Sequence, residues 1–175
     1  MKRVTNIYIF LLLTLSIQVH PESLGEDDVD LLHNDINRMF IAFEAGKVGP
    51  LLRKTHPSIY VLVGGKDKLE ELTVAAVSQL REQGISFLSS ELGDPTELYS
   101  AGKEEVCFIP RISLMEMQGS KVKSIGFLVA IREKGGSEWL YLDGSGIRKD
   151  QSLLWKLLPD LEKNISLPPN YFEML

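Results

Sequence analysis

EVCFIPRISLMEMQGSKVKSIGFLVAIR, residues 105–132, contains two long runs rich in apolar and β-branched residues on either side of a Gln-Gly-Ser turn. Such runs joined by a short glycine-containing turn predict an antiparallel hairpin, with strands at 105–117 and 122–132. Pro110 falls inside the first run, and proline cannot donate a hydrogen bond to a sheet ladder. The first strand is therefore expected to lie at a sheet edge, or to be bulged or bent at Pro110.

The meander is predicted to extend on both sides of this hairpin. Residues 85–92 form an earlier strand-like run, and residues 138–143 form a final one after a turn at Gly135-Gly136. Asp150 is expected to cap a last short helix over 151–158. The proline-containing tail 159–175 is expected to be extended.

Helices are predicted before the sheet. Apolar residues recur at helical spacing over 27–45, where Asp27 or Asp28 is the expected cap and Gly46 the expected end. A short helix should follow and end at His56-Pro57. SIYVLV, residues 58–63, is rich in β-branched and aromatic residues and is predicted to be a brief strand. A third helix is predicted over 66–83, with Gly84 at its end and an apolar stripe at Leu69, Leu72, Ala76 and Leu80.

This order, helices first and then antiparallel strands, predicts an α+β fold with the N-terminal helices packed on one face of a strongly curved sheet. The chain has 175 residues, of which 44% are hydrophobic and 25% charged, which suits one globular domain over 27–158. The residues expected to be mostly buried are Phe40, Leu72, Leu80, Phe108 and Phe127.

Residues 1–23 have the organisation of a secretory signal peptide. Lys2 and Arg3 precede the apolar run IYIFLLLTLSI, and a polar segment follows it. The run is shorter than the roughly 20 apolar residues that span a bilayer, so cleavage between residues 17 and 26 is expected, with an uncleaved anchor as the alternative. The mature chain is predicted to be secreted or periplasmic.

Composition argues against several classes of partner. The formal net charge is −5 and no long basic run occurs, so neither nucleic acid nor, after signal cleavage, a membrane surface is expected as a partner. The single cysteine, Cys107, lies in an apolar run and is predicted to be a buried, inert thiol. The sequence has no metal-binding spacing of His and Cys and no phosphate-binding or dinucleotide motif, so no metal and no cofactor are predicted.

The stretch GGSEWLYLDGSG, residues 135–146, contains the first group of candidate site residues. In a strand, Trp139, Tyr141 and Asp143 share one face. A carboxylate beside two rings would be desolvated and would suit a general base. The alternative, which the Asp-Gly pair at the strand end favours, is that Asp143 holds a turn through its side chain.

Three further side chains are candidates for ligand binding. His56 is a general base by type, or it stabilises the end of the preceding helix. Arg111 lies in an otherwise apolar strand, where it would bind a ligand carboxylate in bidentate fashion or protect a sheet edge. Tyr60 combines an apolar ring with a polar hydroxyl. The predicted ligand-binding set is therefore His56, Tyr60, Arg111, Trp139, Tyr141 and Asp143; no catalytic residue is assigned.

The element order, with THPSIYVLVGG (residues 55–65), GGSEWLYLDGSG and the LLPDL…LPP tail, resembles the nuclear transport factor 2-like superfamily and, within it, a group of uncharacterised exported bacterial proteins. The resemblance spans roughly residues 28–169. It implies a cystatin-like α+β cone with a pocket between sheet and helices. Some members are isomerases, dehydratases or cyclases and others only bind or dimerise, so the resemblance assigns no catalytic residues here.

The leading hypothesis is an exported, non-enzymatic protein that binds a small-molecule ligand or an envelope protein in the cone pocket. The first alternative is an acid/base pocket enzyme of isomerase or dehydratase type. It would bring at least two of Asp143, His56, Arg111 and Tyr60 within hydrogen-bond distance around a void. The further alternative is an interaction protein that forms a homodimer through an exposed apolar patch.

Overall fold

The computed structural model describes residues 24–175, and the predicted signal peptide lies outside them. This part of the chain is α+β, with most of its helices before the sheet. The helices are α1 Glu26–Glu44, α2 Gly49–Arg53, α3 Ser58–Val63, α4 Lys66–Glu82 and α5 Ser152–Leu157. Between residues 24 and 175, no helix is long and apolar enough to cross a bilayer.

The sheet is antiparallel and has six strands. They are β1 Ser86–Leu92, β2 Tyr99–Ala101, β3 Glu104–Met117, β4 Ser120–Glu133, β5 Leu140–Asp143 and β6 Tyr171–Met174. β3 and β4 pair without a register shift from Glu104↔Glu133 to Met117↔Ser120, which confirms the predicted hairpin. β1 and β2 lie beside β3, while β5 and β6 lie beside β4.

Pro110 lies in a central strand, so the expectation of an edge strand is wrong. β1 pairs with β3 as far as Arg111, and β2 begins its pairing at Val106. Pro110 falls in the gap between these two neighbours, where its carbonyl accepts from Gly93 N–H at 2.8 Å. Because N and O of a residue face the same side of a strand, the missing proline donor faces this gap and interrupts no ladder.

The sheet is covered on both faces, whereas helices on one face were expected. Phe127, Val129 and Ile131 of β4 pack with α5 and the segment after it. The alternating residues Leu128 and Ala130 pack on the other face, against α1. The predicted burial of Phe108 and Phe127 is confirmed, with exposed fractions of 0% and 1%.

Residues 58–63 form α3 and not the predicted strand. An apolar run of six residues does not distinguish a strand from a helix by periodicity. Gly64 ends the helix in the left-handed conformation at φ 90°. The free edge of β5, where another strand would pair, is occupied by residues 54–56, since Tyr141 N–H donates to Lys54 O and His56 N–H donates to Tyr141 O.

The apolar face of α4 is rotated from the predicted stripe. Leu72 is 45% exposed and Ala76 is exposed, while Val77 is the buried residue of this helix. The residues that face inward are Leu69, Thr73, Val77 and Leu80, which recur every three or four positions. Leu80 is only partly buried, and Leu72 was wrongly expected in the core.

The glycines predicted at the C-terminal ends of the helices are confirmed, whereas the acidic caps predicted at the start of α1 are not. Gly46 and Gly84 both have positive φ, as predicted for helix ends. Neither Asp27 nor Asp28 caps α1, because Gly25 occupies the cap position and Asp28 pairs with Arg132. Asp150 Oδ1 does accept from Ser152 N–H at 3.0 Å at the start of α5.

Residues 159–175 are largely extended but form part of the domain. Leu161 is 2% exposed and belongs to the core beside α5. β6 then adds to the sheet, with Val122↔Met174 and Ile125↔Tyr171 as its outer pairs on β4. The C-terminal segment therefore takes part in packing, although it contains no long apolar run.

Candidate functional site

A cavity of about 530 Å³ lies between the sheet, α1, α4 and α5. This volume falls in the range of roughly 300–1,000 Å³ typical of small-molecule sites. Most of the wall is apolar and comes from both helices and strands. The apolar wall residues include Met39, Phe40, Phe43, Leu51, Ile59, Leu62, Leu69, Leu80, Phe87, Met115, Leu128, Leu142, Leu153, Leu157 and Phe172.

The cavity exists because α4 does not pack directly on the sheet. Its inward residues Leu69, Thr73 and Leu80 line the void, and Val77 is the buried residue of this helix. An amphipathic helix normally buries its apolar face against a core. Here that face lines an open volume, together with Leu128 from one face of the sheet and Val129 from the other.

Charged groups lie at one end of the cavity, where α1, β3 and the segment after β5 meet. Arg111 and Arg148 both line the wall, and Asp143 is the carboxylate beside them. Arg111 Nη2 lies 3.6 Å from Asp143 Oδ2, a distance too long for a hydrogen bond. The Arg111 guanidinium also stacks on Phe40, with Cζ 4.3 Å from the ring centroid.

Arg148 is held by neutral groups. Its Nε donates to Asn170 Oδ1 at 2.7 Å and its Nη2 donates to Ser124 Oγ at 3.3 Å. Its Cζ lies 3.8 Å from the ring centroid of Phe172 in β6. Burial lowers the pKa of Arg148, and the positive charge of Arg111 lowers it further against the opposing effect of Asp143. Two cations thus share a weakly neutralised site.

Arg132, on the same sheet, shows how a structural arginine is satisfied. Its guanidinium donates to Glu105 and to both carboxylate oxygens of Asp28, at 2.9 Å for the latter pair. It also stacks on Trp139, with Cζ 4.3 Å from the ring centroid. Although burial opposes it, hydrogen bonding to the two carboxylates raises the pKa of Arg132. Arg111 and Arg148 have no carboxylate at such distances among residues 24–175.

Asp143 has the predicted turn role and a second role toward Arg111. Its Oδ1 accepts from Ser145 N–H at 2.8 Å, which confirms that the side chain fixes the turn after β5. Its Oδ2 is the oxygen that faces Arg111. The side chain is 50% exposed, so it is not the desolvated carboxylate that a general base requires.

Gly144 is required for space. A Cβ at this position would lie 2.5 Å from Phe127 O and 2.8 Å from its ring atoms, and the residue does not need positive φ. Gly146, two residues later, has no atom within 4 Å of its hypothetical Cβ.

We expect Gly144→Ala to lower the free energy of unfolding by about 1–3 kcal/mol, because the backbone of β4 must move. The matched control, Gly146→Ala, should be neutral or slightly stabilising. Chemical denaturation of both variants measures this difference. Equal stability of the two variants would contradict the close approach of Gly144 to Phe127.

His56 lies outside the cavity wall and links α3 to β3. Its Nδ1 accepts from Ser58 N–H at 3.3 Å and lies 2.9 Å from Ser58 Oγ. The other ring nitrogen, Nε2, lies 3.1 Å from Glu104 Oε1. His56 therefore supports the start of α3; the expected role at the end of the preceding helix is wrong, because α2 ends at Arg53.

The aromatic candidates divide between core and wall. Trp139 is fully buried in the core under α1, and its Nε1 has no hydrogen-bond partner within residues 24–175. Tyr141 is 3% exposed, and its ring contributes to the cavity wall. Its hydroxyl has no partner at hydrogen-bond geometry, although burial and then the nearby Asp35 carboxylate raise the pKa of Tyr141. Tyr60 is not part of the wall and makes only long contacts to Leu52 O and Thr55 O.

The structure thus brings three of the six predicted residues to the cavity: Arg111, Tyr141 and Asp143. The sequence interpretation missed Arg148, Asn170 and the inner face of α4. Asn170 precedes β6 and also donates to Gly144 O at 2.7 Å, so it joins the C-terminal segment to the turn after β5. The arginine that follows the DGSG turn was the available signal for Arg148.

No protein-family model, curated protein or solved structure matches this chain.

Proposed function

We propose that this protein is an exported, non-enzymatic binding protein that holds a small, largely apolar molecule in the cavity beneath α4. The observation that carries the proposal is the apolar inner face of α4, which covers a volume of about 530 Å³. A helix without such a cavity would bury the same residues directly on the sheet. An apolar ligand would complete this missing packing.

The arrangement of polar groups favours binding over catalysis. His56 and Tyr60 are absent from the cavity wall, and Arg111 and Asp143 are too far apart for a hydrogen bond. An acid/base enzyme needs a base within hydrogen-bond reach of its substrate and a second group positioned beside it. The contact between His56 Nε2 and Glu104 Oε1 lies away from the cavity, so it offers no bound substrate a base.

The homodimer alternative has one feature in its favour. β6 pairs only with β4 among the described strands, and its residues Tyr171, Phe172 and Met174 are 50–64% exposed. A protein that only dimerises was expected to have an exposed apolar patch and no cavity, whereas this structure has a cavity. Homodimer formation therefore stays a prediction secondary to ligand binding, as does an envelope protein as partner.

The cone shape and the relationship to the nuclear transport factor 2-like superfamily stay part of the proposal. Helices before an antiparallel meander, with a cavity between them, support it. The helix at 58–63, in place of the expected strand, departs from the element order on which the resemblance rested. Secretion or export to the periplasm rests on the composition of residues 1–23 alone.

Calorimetric titration of the purified full chain with decanol tests the proposed function. Each CH₂ group buried in the cavity contributes about 0.8 kcal/mol, against the cost of association. We expect a dissociation constant of roughly 1–100 µM, with one ligand per chain. Absence of saturable binding by decanol and by decanoate would contradict the proposal.

A matched pair of variants on α4 locates the binding. Thr73→Phe places a ring in the cavity and should weaken decanol binding by about tenfold or more, equivalent to 1.4 kcal/mol. Leu72→Phe places the same ring on the outer face of α4, where the native side chain is 45% exposed, and should leave binding unchanged. Equal effects of the two substitutions would place the ligand elsewhere.

A further inference from the structure

We infer that the ligand is an amphipathic anion, an apolar chain or ring system that ends in one oxyanion, which Arg111 and Arg148 bind at the charged end of the cavity. This inference rests on the proposed function and adds the chemical class of the ligand. It assigns Arg148 to the site together with Arg111. It also gives Asp143 a defined role, as the internal anion that faces Arg111 and is displaced by the head group of the ligand.

The hydrogen-bonding capacity of Arg111 is not used. Its side chain is only 13% exposed, and no acceptor among residues 24–175 lies at hydrogen-bond geometry to its guanidinium. A guanidinium has five N–H donors, and a buried one is normally paired with a carboxylate, as Arg132 is in this chain. Arg111 therefore has both the position and the free donors to bind a carboxylate or phosphate oxygen.

The charge of the cavity wall has the sign that such a ligand requires. The positively charged wall residues are Lys54, Arg111 and Arg148, and the negatively charged one is Asp143. Lys54 is neutralised by Asp35 at 2.8 Å, which lies outside the wall. This leaves two guanidinium groups and one half-exposed carboxylate, so a single added negative charge neutralises the site.

Asp143 is suited to give way to a ligand. Oδ1 is engaged by Ser145 N–H, while Oδ2 approaches Arg111 only to 3.6 Å. The turn thus depends on one oxygen and the arginine contact on the other. Asp143→Asn retains the oxygen that holds the turn and removes the negative charge that faces Arg111.

Titration of the full chain with decanoate and decanol, ligands that differ in the head group, tests the inference. We expect decanoate to bind about 10–100-fold more tightly than decanol, because hydrogen bonds in which both donor and acceptor are charged form only with the oxyanion. Arg111→Gln and Arg148→Gln should each lower the ratio of decanoate affinity to decanol affinity by about tenfold or more. Asp143→Asn should increase the preference for decanoate over decanol by about three- to tenfold.

The controls separate charge recognition from folding. Arg38→Gln, on the exposed side of α1, should leave both affinities unchanged. Decanol binding by the Arg111 and Arg148 variants reports whether the cavity is intact, and Arg111→Lys should restore part of the preference because it restores the charge. Inorganic phosphate alone should bind far more weakly than decanoate, since it lacks the apolar part.

Each remaining outcome overturns the inference. Equal affinities for decanoate and decanol would exclude recognition of an anionic head group, while binding of the apolar part in the cavity would still hold. Phosphate binding as tight as that of decanoate would indicate a free-anion site. Failure of both decanol and decanoate to bind would overturn the proposed function along with the inference.

Discussion

Phe127→Ala is expected to lower the free energy of unfolding by about 3–5 kcal/mol, the range found for the loss of a fully packed aromatic ring. Phe127 is 1% exposed and meets Phe108 edge to face, with ring centroids 5.6 Å apart. It also faces Gly144 in the turn after β5. Its removal therefore leaves a void between β4, that turn and the core beside α5.

Phe40→Ala is the matched control for this loss. Phe40 is only partly buried, and its ring borders the cavity and Arg111. A side chain that already faces open volume loses fewer contacts when it is truncated, so the decrease in unfolding free energy should be clearly smaller. Chemical denaturation of both variants measures the difference. A loss below about 1 kcal/mol for Phe127→Ala would mean that this face of β4 is wrongly assigned.

Cys107 is expected to react with a thiol reagent at pH 8 about 10³-fold more slowly in the folded than in the unfolded protein. Burial raises the pKa of Cys107 to about 12, against about 8.5 for an exposed cysteine. The thiolate is the reactive form, so the shift reduces its population by about three orders of magnitude. The reaction rate with and without denaturant measures this. Rapid stoichiometric labelling of the folded chain would contradict burial under α1.

The same shift makes stability depend on pH in one direction. A group whose folded pKa is raised stabilises the folded state below its unfolded pKa, and this stabilisation is lost as the pH rises toward the folded pKa. The contribution of Cys107 should therefore be complete below pH of about 8.5 and decline between about 8.5 and 12. Cys107→Ala should lack this part of the alkaline decline.

The central hairpin could be predicted because its runs are long and both ends have strong turn signals. Two runs that form strands of 14 residues each, joined by a turn at Gln118-Gly119, are compatible with few structures other than an antiparallel hairpin. The glycines that end α1 and α4 act through local backbone chemistry and were predicted equally well. Asp150 accepts from Ser152 N–H as a start signal for α5, although Gln151 and not Asp150 occupies the cap position. Local signals therefore defined most of the helices and strands.

The misassigned parts depend on contacts that a sequence pattern does not contain. Residues 58–63 form a helix, and the free edge of β5 pairs with residues 54–56 instead. On α4, Leu72 outranks Thr73 in hydrophobicity, yet Thr73 faces the cavity and Leu72 faces outward. The rotation is small, but it determines which residues of α4 face the cavity.

Only part of the candidate site could be predicted, because the fold brings together residues that are distant in the sequence. Arg111 was identified because an arginine in an apolar strand needs a partner. Arg148 follows a polar turn, where an arginine is ordinarily exposed. Only the fold brings it to Arg111, through the turn fixed by Asp143 and through Asn170 before β6.

A crystal structure of the full chain with decanoate tests the central claim most directly. We expect the alkyl chain to lie between Leu69 and Thr73 of α4 and Leu128 of the sheet, with the carboxylate at hydrogen-bond distance from Arg111 and Arg148. Asp143 should keep its bond to Ser145 and move away from Arg111. A cavity closed by α4 packing directly on the sheet, or decanoate bound only on the exposed face of β6, would contradict it.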